Sequence, residues 1–181
     1  ARSSLQAREQ GVRCFMVSLQ VPSSTARPAG RVPLYSAQER LRRDATPWTL
    51  VQGVLAPVQF IACAVSLFFV LRYLATGEGL FAASVSFVVK CALLYLIMIT
   101  GSVWEKVVFG RWLFAPAFFW EDVVSMLVLA LHTACLIAML TGWLDARAQM
   151  LLALAAYTTY VINAAQFLLK LRAARLGGVA A

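Results

Sequence analysis

From Phe118 to Cys135 the chain reads FFWEDVVSMLVLALHTAC, an apolar run that opens on two adjacent carboxylates and carries the sequence's single histidine near its middle. No charged residue follows Asp122 until Asp145. About 20 apolar residues, rising about 1.5 Å each, cross a hydrocarbon core of about 30 Å, so a run of this length reads as a spanning helix. Three further runs read the same way. The expected spans are residues 50–73, 80–101, 121–141 and 149–169. Of the 181 residues, 61% are hydrophobic and 13% charged, too little charge to cover a water-facing surface of this size. The fold class expected is an all-α integral membrane protein with four transmembrane helices.

The basic residues set an orientation. Arg31, Arg40, Arg42 and Arg43 precede the first span, Lys106 and Arg111 lie between the second and third, and Lys170, Arg172 and Arg175 follow the fourth. The other two connections carry only Arg72 and Arg147. The positive-inside rule then places both termini and the middle loop in the cytoplasm. The net charge of +8 is accounted for by this bias and by contact with anionic lipid, so no nucleic-acid partner is expected.

Residues 1–33 are rich in Arg, Ser and Pro, with Glu9 as their only acid, and are expected to be a disordered, dispensable basic extension. Either a transit peptide or an upstream extension with Met16 as an internal start would have this composition. The membrane domain is expected over residues 34–176, with 177–181 as a tail. Ser36-Ala-Gln-Glu39 has the form of a capping box opening a short basic interfacial helix, Ala37 to Asp44. Thr46-Pro47-Trp48 supplies an N-cap, a proline at the first helical position and an interfacial aromatic for the first span. Gly77 or Gly79 should end that span, and Pro57 should bend it. Cys63, Cys91 and Cys135 lie in separate spans and Cys14 in the tail, without metal-ligand spacing, and read as small buried hydrophobes.

Polar groups inside the spans need a reason. A charged side chain at the centre of a spanning helix costs about 2.5–3.5 kcal/mol on insertion scales. Lys90, in SFVVKCALL, has three readings: neutral through desolvation, paired with a carboxylate, or snorkelling toward an interface; mid-span snorkelling is difficult, so a buried partner is expected. Gln52, Gln59 and Ser66 recur every seven residues on one face of the first span, and Thr159, Asn163 and Gln166 share a face of the fourth. Stripes of this kind either join helices by hydrogen bonds or line a site. No repeat relates the two halves, which counts against a transporter built from inverted repeats.

At 100° per residue, Glu121, Ser125 and His132 share one face, with Glu121 and His132 about 20° apart in azimuth and about 16 Å apart along the axis. Asp122 points about 80° away from His132. His132 has three readings: a satisfied structural histidine, a proton carrier, or an axial ligand to a metal that a ligand brings with it. The middle loop, GSVWEKVVFGRWLFAPAFFWED, gathers Trp104, Phe109, Trp112, Phe114, Phe118, Phe119 and Trp120 around Glu105, Lys106, Arg111, Glu121 and Asp122. An aromatic belt explains part of that density. Acids in the first turn of a helix also complement its dipole. Large rings among a few charges equally suit a flat, apolar, carboxylated ligand, whose carboxylate Lys106 or Arg111 would hold.

TPWTLVQGVLAP, RYLATGEG, GSVWEKVVFGRWLFAPAFFWEDVVSMLVLALHTA and NAAQFLLKLRAAR resemble the 3-vinyl bacteriochlorophyllide hydratase (chlorophyllide a 3¹-hydratase) family of phototrophic bacteria. The resemblance runs from about Pro33 to Arg175. It implies a multi-pass enzyme of the bacterial cytoplasmic or intracytoplasmic membrane, acting in bacteriochlorophyll synthesis. The implied reaction adds water to the C3 vinyl group of a chlorophyllide-type tetrapyrrole and gives a 1-hydroxyethyl substituent, without a cofactor. A homo-oligomer, or association with other pigment-synthesis enzymes, is compatible with it.

That chemistry needs a positioned acid, which typically contributes about 10²–10⁴-fold, and a nearby water. A carboxyl shielded by indole and phenyl rings is expected to keep its proton, so Glu121 and Glu105 are the candidate acids, following Trp120 and Trp104. Asp122 is the candidate carboxylate that steadies the cation and then deprotonates the attacking water. His132, as axial ligand to the substrate's magnesium, together with Lys106, Arg111, Trp104, Trp120 and Lys90, completes the expected substrate-binding set; Lys90 would balance a carboxylate. No metal of the protein's own is expected. Two rival readings use the same residues. One is a non-catalytic chlorin carrier or assembly factor. The other is a small proton-coupled transporter built on Lys90, His132 and the paired acids.

Overall fold

The computed structural model of the chain describes residues 34–178, with side chains to residue 174. The expected extension, residues 1–33, and the tail residues 179–181 lie outside that range. Five helices follow one another: α1 (Ala37–Ala45), α2 (Pro47–Thr76), α3 (Leu80–Phe109), α4 (Phe119–Thr141) and α5 (Ala146–Gly178). The last runs into the segment expected to be a tail. Among the described residues there is no strand, and α2 to α5 are each long and apolar enough to cross a membrane.

The helix boundaries follow from local chemistry. Ser36 accepts from the Glu39 N–H at 3.3 Å while Glu39 Oε2 accepts from the Ser36 N–H at 2.7 Å, the reciprocal capping the sequence predicts. Thr46 caps α2 through the Trp48 N–H at 3.4 Å, with Pro47 as the first helical residue. Gly77 ends α2 in the left-handed region, φ 76°, where a side chain would be strained, and its N–H reaches the Tyr73 carbonyl at 2.8 Å. Asp145 caps α5 by accepting from the Ala148 N–H at 2.7 Å. Pro57 lies within the continuous helix α2.

Short turns at residues 77–79 and 142–145 make two antiparallel hairpins, α2–α3 and α4–α5, each closely packed within itself. Lipid solvates leucine as well as a neighbouring helix does, so close packing and interhelical hydrogen bonds must hold the bundle together. Ala83, Ala138, Ala153 and Ala156 are buried and permit close approach. Across the α2–α3 hairpin, Gln52 donates to Thr100 at 2.8 Å and Trp104 Nε1 to Thr49 at 2.9 Å. Between the hairpins, Ser66 meets Tyr157 at 2.6 Å and Tyr95 meets Thr133 at 2.8 Å. Cys63, Cys91 and Cys135 are free thiols in the main core with Val70, Phe87, Leu94 and Met150. Large side chains such as Phe81, Ile99 and Leu140 face outward, as helices solvated by lipid require.

A second, smaller core closes the end of the bundle where α3 finishes and α4 begins. Tyr35 stacks on Phe109 at a centroid distance of 5.7 Å, and Phe118 stacks on Phe167 at 5.8 Å. Trp104 meets Phe109 and Phe118 edge-on. This aromatic wall stands beside the acidic residues.

Candidate functional site: a carboxyl pair under the 110–118 loop

Glu105 sits in the last turns of α3 and Asp122 in the first turn of α4, so the short connection between the helices returns them to one level. Both are buried, 5% and 4% exposed, and their carboxyls are near neighbours. The connecting loop closes over them. The Phe114 N–H donates to Asp122 Oδ2 at 2.8 Å, and the Ala115 N–H donates to Glu105 Oε2 at 3.3 Å. Phe114 holds φ 59°, a left-handed conformation that costs a non-glycine residue about 1–2 kcal/mol. Consecutive backbone donors are thereby aimed at the two acids. A hydrogen bond between two carboxyls requires one proton between them, and two adjacent carboxylates in a poorly solvated site do not both ionise readily.

Glu121 is placed differently from the expectation of a free acid. Its Oε2 accepts from Lys170 Nζ at 2.5 Å, an ion pair joining α4 to α5, and the ammonium lies 5.2 Å from the centroid of the Phe118 ring. Trp120, expected to shield Glu121, points outward at 69% exposure. The middle-loop aromatics divide into the packed wall of Trp104, Phe109 and Phe118 and an outward set of Trp112, Phe114, Phe119 and Trp120.

Lys90 has the buried partner expected of it, but that partner is His132 and not a carboxylate. Lys90 Nζ and His132 Nε2 are 2.5 Å apart, and both residues are fully buried. His132 Nδ1 lies 2.7 Å from the Val128 carbonyl, which only accepts, so Nδ1 carries the hydrogen and Nε2 is left to accept from the lysine. Both ring nitrogens are occupied, leaving none for a ligand's metal. Phe87 stacks on the imidazole at 5.7 Å, and Lys90 Nζ lies 4.2 Å from the Tyr160 ring centroid.

Lys106 Nζ donates to the Gly110 carbonyl at 3.1 Å, closing the end of α3, and lies 5.9 Å from the centroid of the exposed Trp112 ring. Arg111 is exposed beside it. These two cations stand outside the carboxyl cluster, next to the outward aromatics. Among the described residues, no three His, Cys, Asp or Glu side chains gather as a metal site would need.

A buried polar level separates the carboxyl pair from Lys90–His132. Asn163 Nδ2 donates to Ser125 Oγ at 2.7 Å, one helical turn along α4 from Asp122. Gln59, 1% exposed, has no protein partner for either amide atom; Asn163 Oδ1 and Gln166 Oε1 have none either. Sequence spacing identified these stripes without separating the helix-joining members from the unpaired ones.

The family model described as 2-vinyl bacteriochlorophyllide hydratase matches residues 35–173 of the chain. A protein of Rhodobacter capsulatus carrying that name is 63% identical over 156 residues, covering 86% of this chain and 90% of the relative. A second, from Cereibacter sphaeroides and with the same name, is 63% identical over 155 residues, covering 86% and 95%. No solved structure matches the chain.

Proposed function

The chain belongs to the 2-vinyl bacteriochlorophyllide hydratase family, and on that footing we propose that it hydrates the vinyl group of a bacteriochlorophyllide using Glu105 and Asp122 as an acid–base pair. It is a hydro-lyase working in the addition direction. One observation carries the assignment of the pair: two neighbouring buried carboxyls, each held by a backbone N–H of the same loop.

The proton shared by the pair passes to the terminal vinyl carbon. A C–H bond forms, the C=C π bond is consumed, and positive charge develops on the carbon attached to the macrocycle. The conjugated ring spreads that charge, and the pair, now doubly anionic, stabilises it across a poorly solvated gap. Water then attacks the cationic carbon, and its surplus proton returns to the pair. The sum is vinyl plus water giving 1-hydroxyethyl, with the acid regenerated and no electron transferred. The Phe114 and Ala115 N–H groups steady the dianionic form of the pair, because a carboxylate accepting backbone hydrogen bonds is favoured over the protonated acid.

Glu121, bound to Lys170, ties α4 to α5 and keeps Lys170 from neutralising the pair. The macrocycle lies against the outward aromatics Trp112, Phe119 and Trp120, and Arg111 or Lys106 meets a carboxylate of the pigment. Lys90 and His132 anchor the bundle interior and take no part in the proton transfer. The enzyme works in a bacterial cytoplasmic membrane with the 110–118 loop on the cytoplasmic side, a reading supported by the arginines of α1 and the bases of the loop.

The test is optical. Membranes containing the protein, incubated with a vinyl bacteriochlorophyllide, should shift its long-wavelength band to the blue as the vinyl group leaves conjugation. Glu105→Gln membranes that bind the pigment should not. A pigment left unchanged by the folded wild-type protein would remove the proposal.

A further inference from the structure

The hydration needs a water held beside the cation. The polar level next to the pair offers the required groups. Ser125 follows Asp122 by one turn of α4, about 4.5 Å along the axis, and bonds Asn163 of α5. Gln166 lies one turn from Asn163 toward Lys170, the partner of Glu121. On the opposing hairpin, Ser66 meets Tyr157 at 2.6 Å and Phe60 meets Tyr160 at 5.8 Å. Continuing that antiparallel register along α2 brings Gln59 level with Asn163.

The unpaired atoms have a definite chemistry. Three are acceptors, Gln59 Oε1, Asn163 Oδ1 and Gln166 Oε1, and one is the donor Gln59 Nε2. A buried polar atom without a partner costs about 1–3 kcal/mol, so the level calls for a ligand that satisfies it. A carbonyl or ester of a pigment only accepts and would leave all three oxygens unmet. One water donates twice and accepts from the amide N–H, so it meets the donor and two of the three oxygens at once, and a second water meets the third. The same acceptors suit the hydroxyl that the attacking water becomes.

We infer that Gln59, Asn163 and Gln166 form the water-holding site of the hydratase, presenting the attacking water one helical turn inside the carboxyl pair. The inference rests on the hydratase reading above. In the step, the water oxygen forms a bond to the cationic carbon, and one of its protons leaves for the carboxyl pair. The amides orient the water and exchange no proton.

Protonation and water capture can be read separately. In deuterium oxide the pair delivers a deuteron to the terminal vinyl carbon. If capture fails, the cation loses a proton and returns as deuterated vinyl substrate. Gln59→Met and Gln166→Met remove the amides at nearly constant volume, and replacing an unpaired buried amide by an apolar chain does not sacrifice folding. Each variant should form hydrated product about tenfold more slowly and show a rise of about tenfold in deuterium recovered in vinyl substrate per product formed. A purely structural role would slow both processes together and leave the ratio unchanged. An unchanged ratio in the folded variants overturns the water site and leaves the hydratase reading intact. Wild-type protein giving neither product nor exchange overturns both.

Discussion

Lys170 bonds Glu121 at 2.5 Å while the next residue, Asp122, turns to Glu105. Two adjacent carboxylates thus have opposite surroundings, one facing a cation and one facing another acid. Glu121→Gln should therefore keep kcat within about threefold of wild type, with a modest loss of thermal stability from the weakened α4–α5 tie. Turnover by that variant in membranes, beside its melting temperature, checks this. A loss of activity with unchanged stability would return the acid's role to Glu121.

Glu105→Gln and Asp122→Asn should each lower kcat by about 10²-fold or more while the pigment still binds. The double variant should be little worse than either single one, because groups acting as a unit lose their joint effect at the first substitution. Single-turnover rates with pigment-binding titrations measure both quantities.

Phe114 reaches Asp122 only by holding a left-handed backbone. Glycine adopts that conformation freely and a β-branched residue does so with difficulty. Phe114→Gly should leave the loop at least as stable. Phe114→Val should destabilise the protein by about 1–2 kcal/mol and lower turnover as the N–H leaves Asp122. Thermal melts and rates of the two variants make the comparison.

Lys90→Met or His132→Phe alone leaves one buried nitrogen group without its partner, at a cost of about 1–3 kcal/mol. The double substitution should recover much of that loss, since apolar groups of similar volume replace both members. Pigment affinity should be unchanged throughout. Weaker affinity in His132→Phe at full stability would favour the axial-ligand role instead.

Much of the fold was legible because each boundary has a local cause. The Ser36–Glu39 capping box, Thr46-Pro47 and Gly77 are read from neighbouring residues, and the apolar runs need only length and hydropathy. The candidate site was legible in part, since Glu105, Asp122 and Glu121 stand out in the sequence as acids among aromatics. What separates them is tertiary. Helical azimuth compares residues of one helix and is silent on what the next helix presents, so neither Lys170 opposite Glu121 nor His132 opposite Lys90 followed from it. A signal did exist: Glu105 and Asp122 lie at nearly equal distances from the centre of the 110–118 loop, and Glu121 and Lys170 lie within about one turn of equal distances from the turn at 142–145. Antiparallel hairpins bring such positions level. Choosing which of those residues turn inward still required the packed bundle.

The central claim is a proton held between Glu105 and Asp122, and infrared spectroscopy of the protein in membranes reads it directly. At neutral pH the wild type should show a protonated-carboxyl stretch that disappears in Glu105→Gln and Asp122→Asn and persists in Glu121→Gln. A spectrum with only ionised carboxylates, or a protonated band lost with Glu121, would contradict the account.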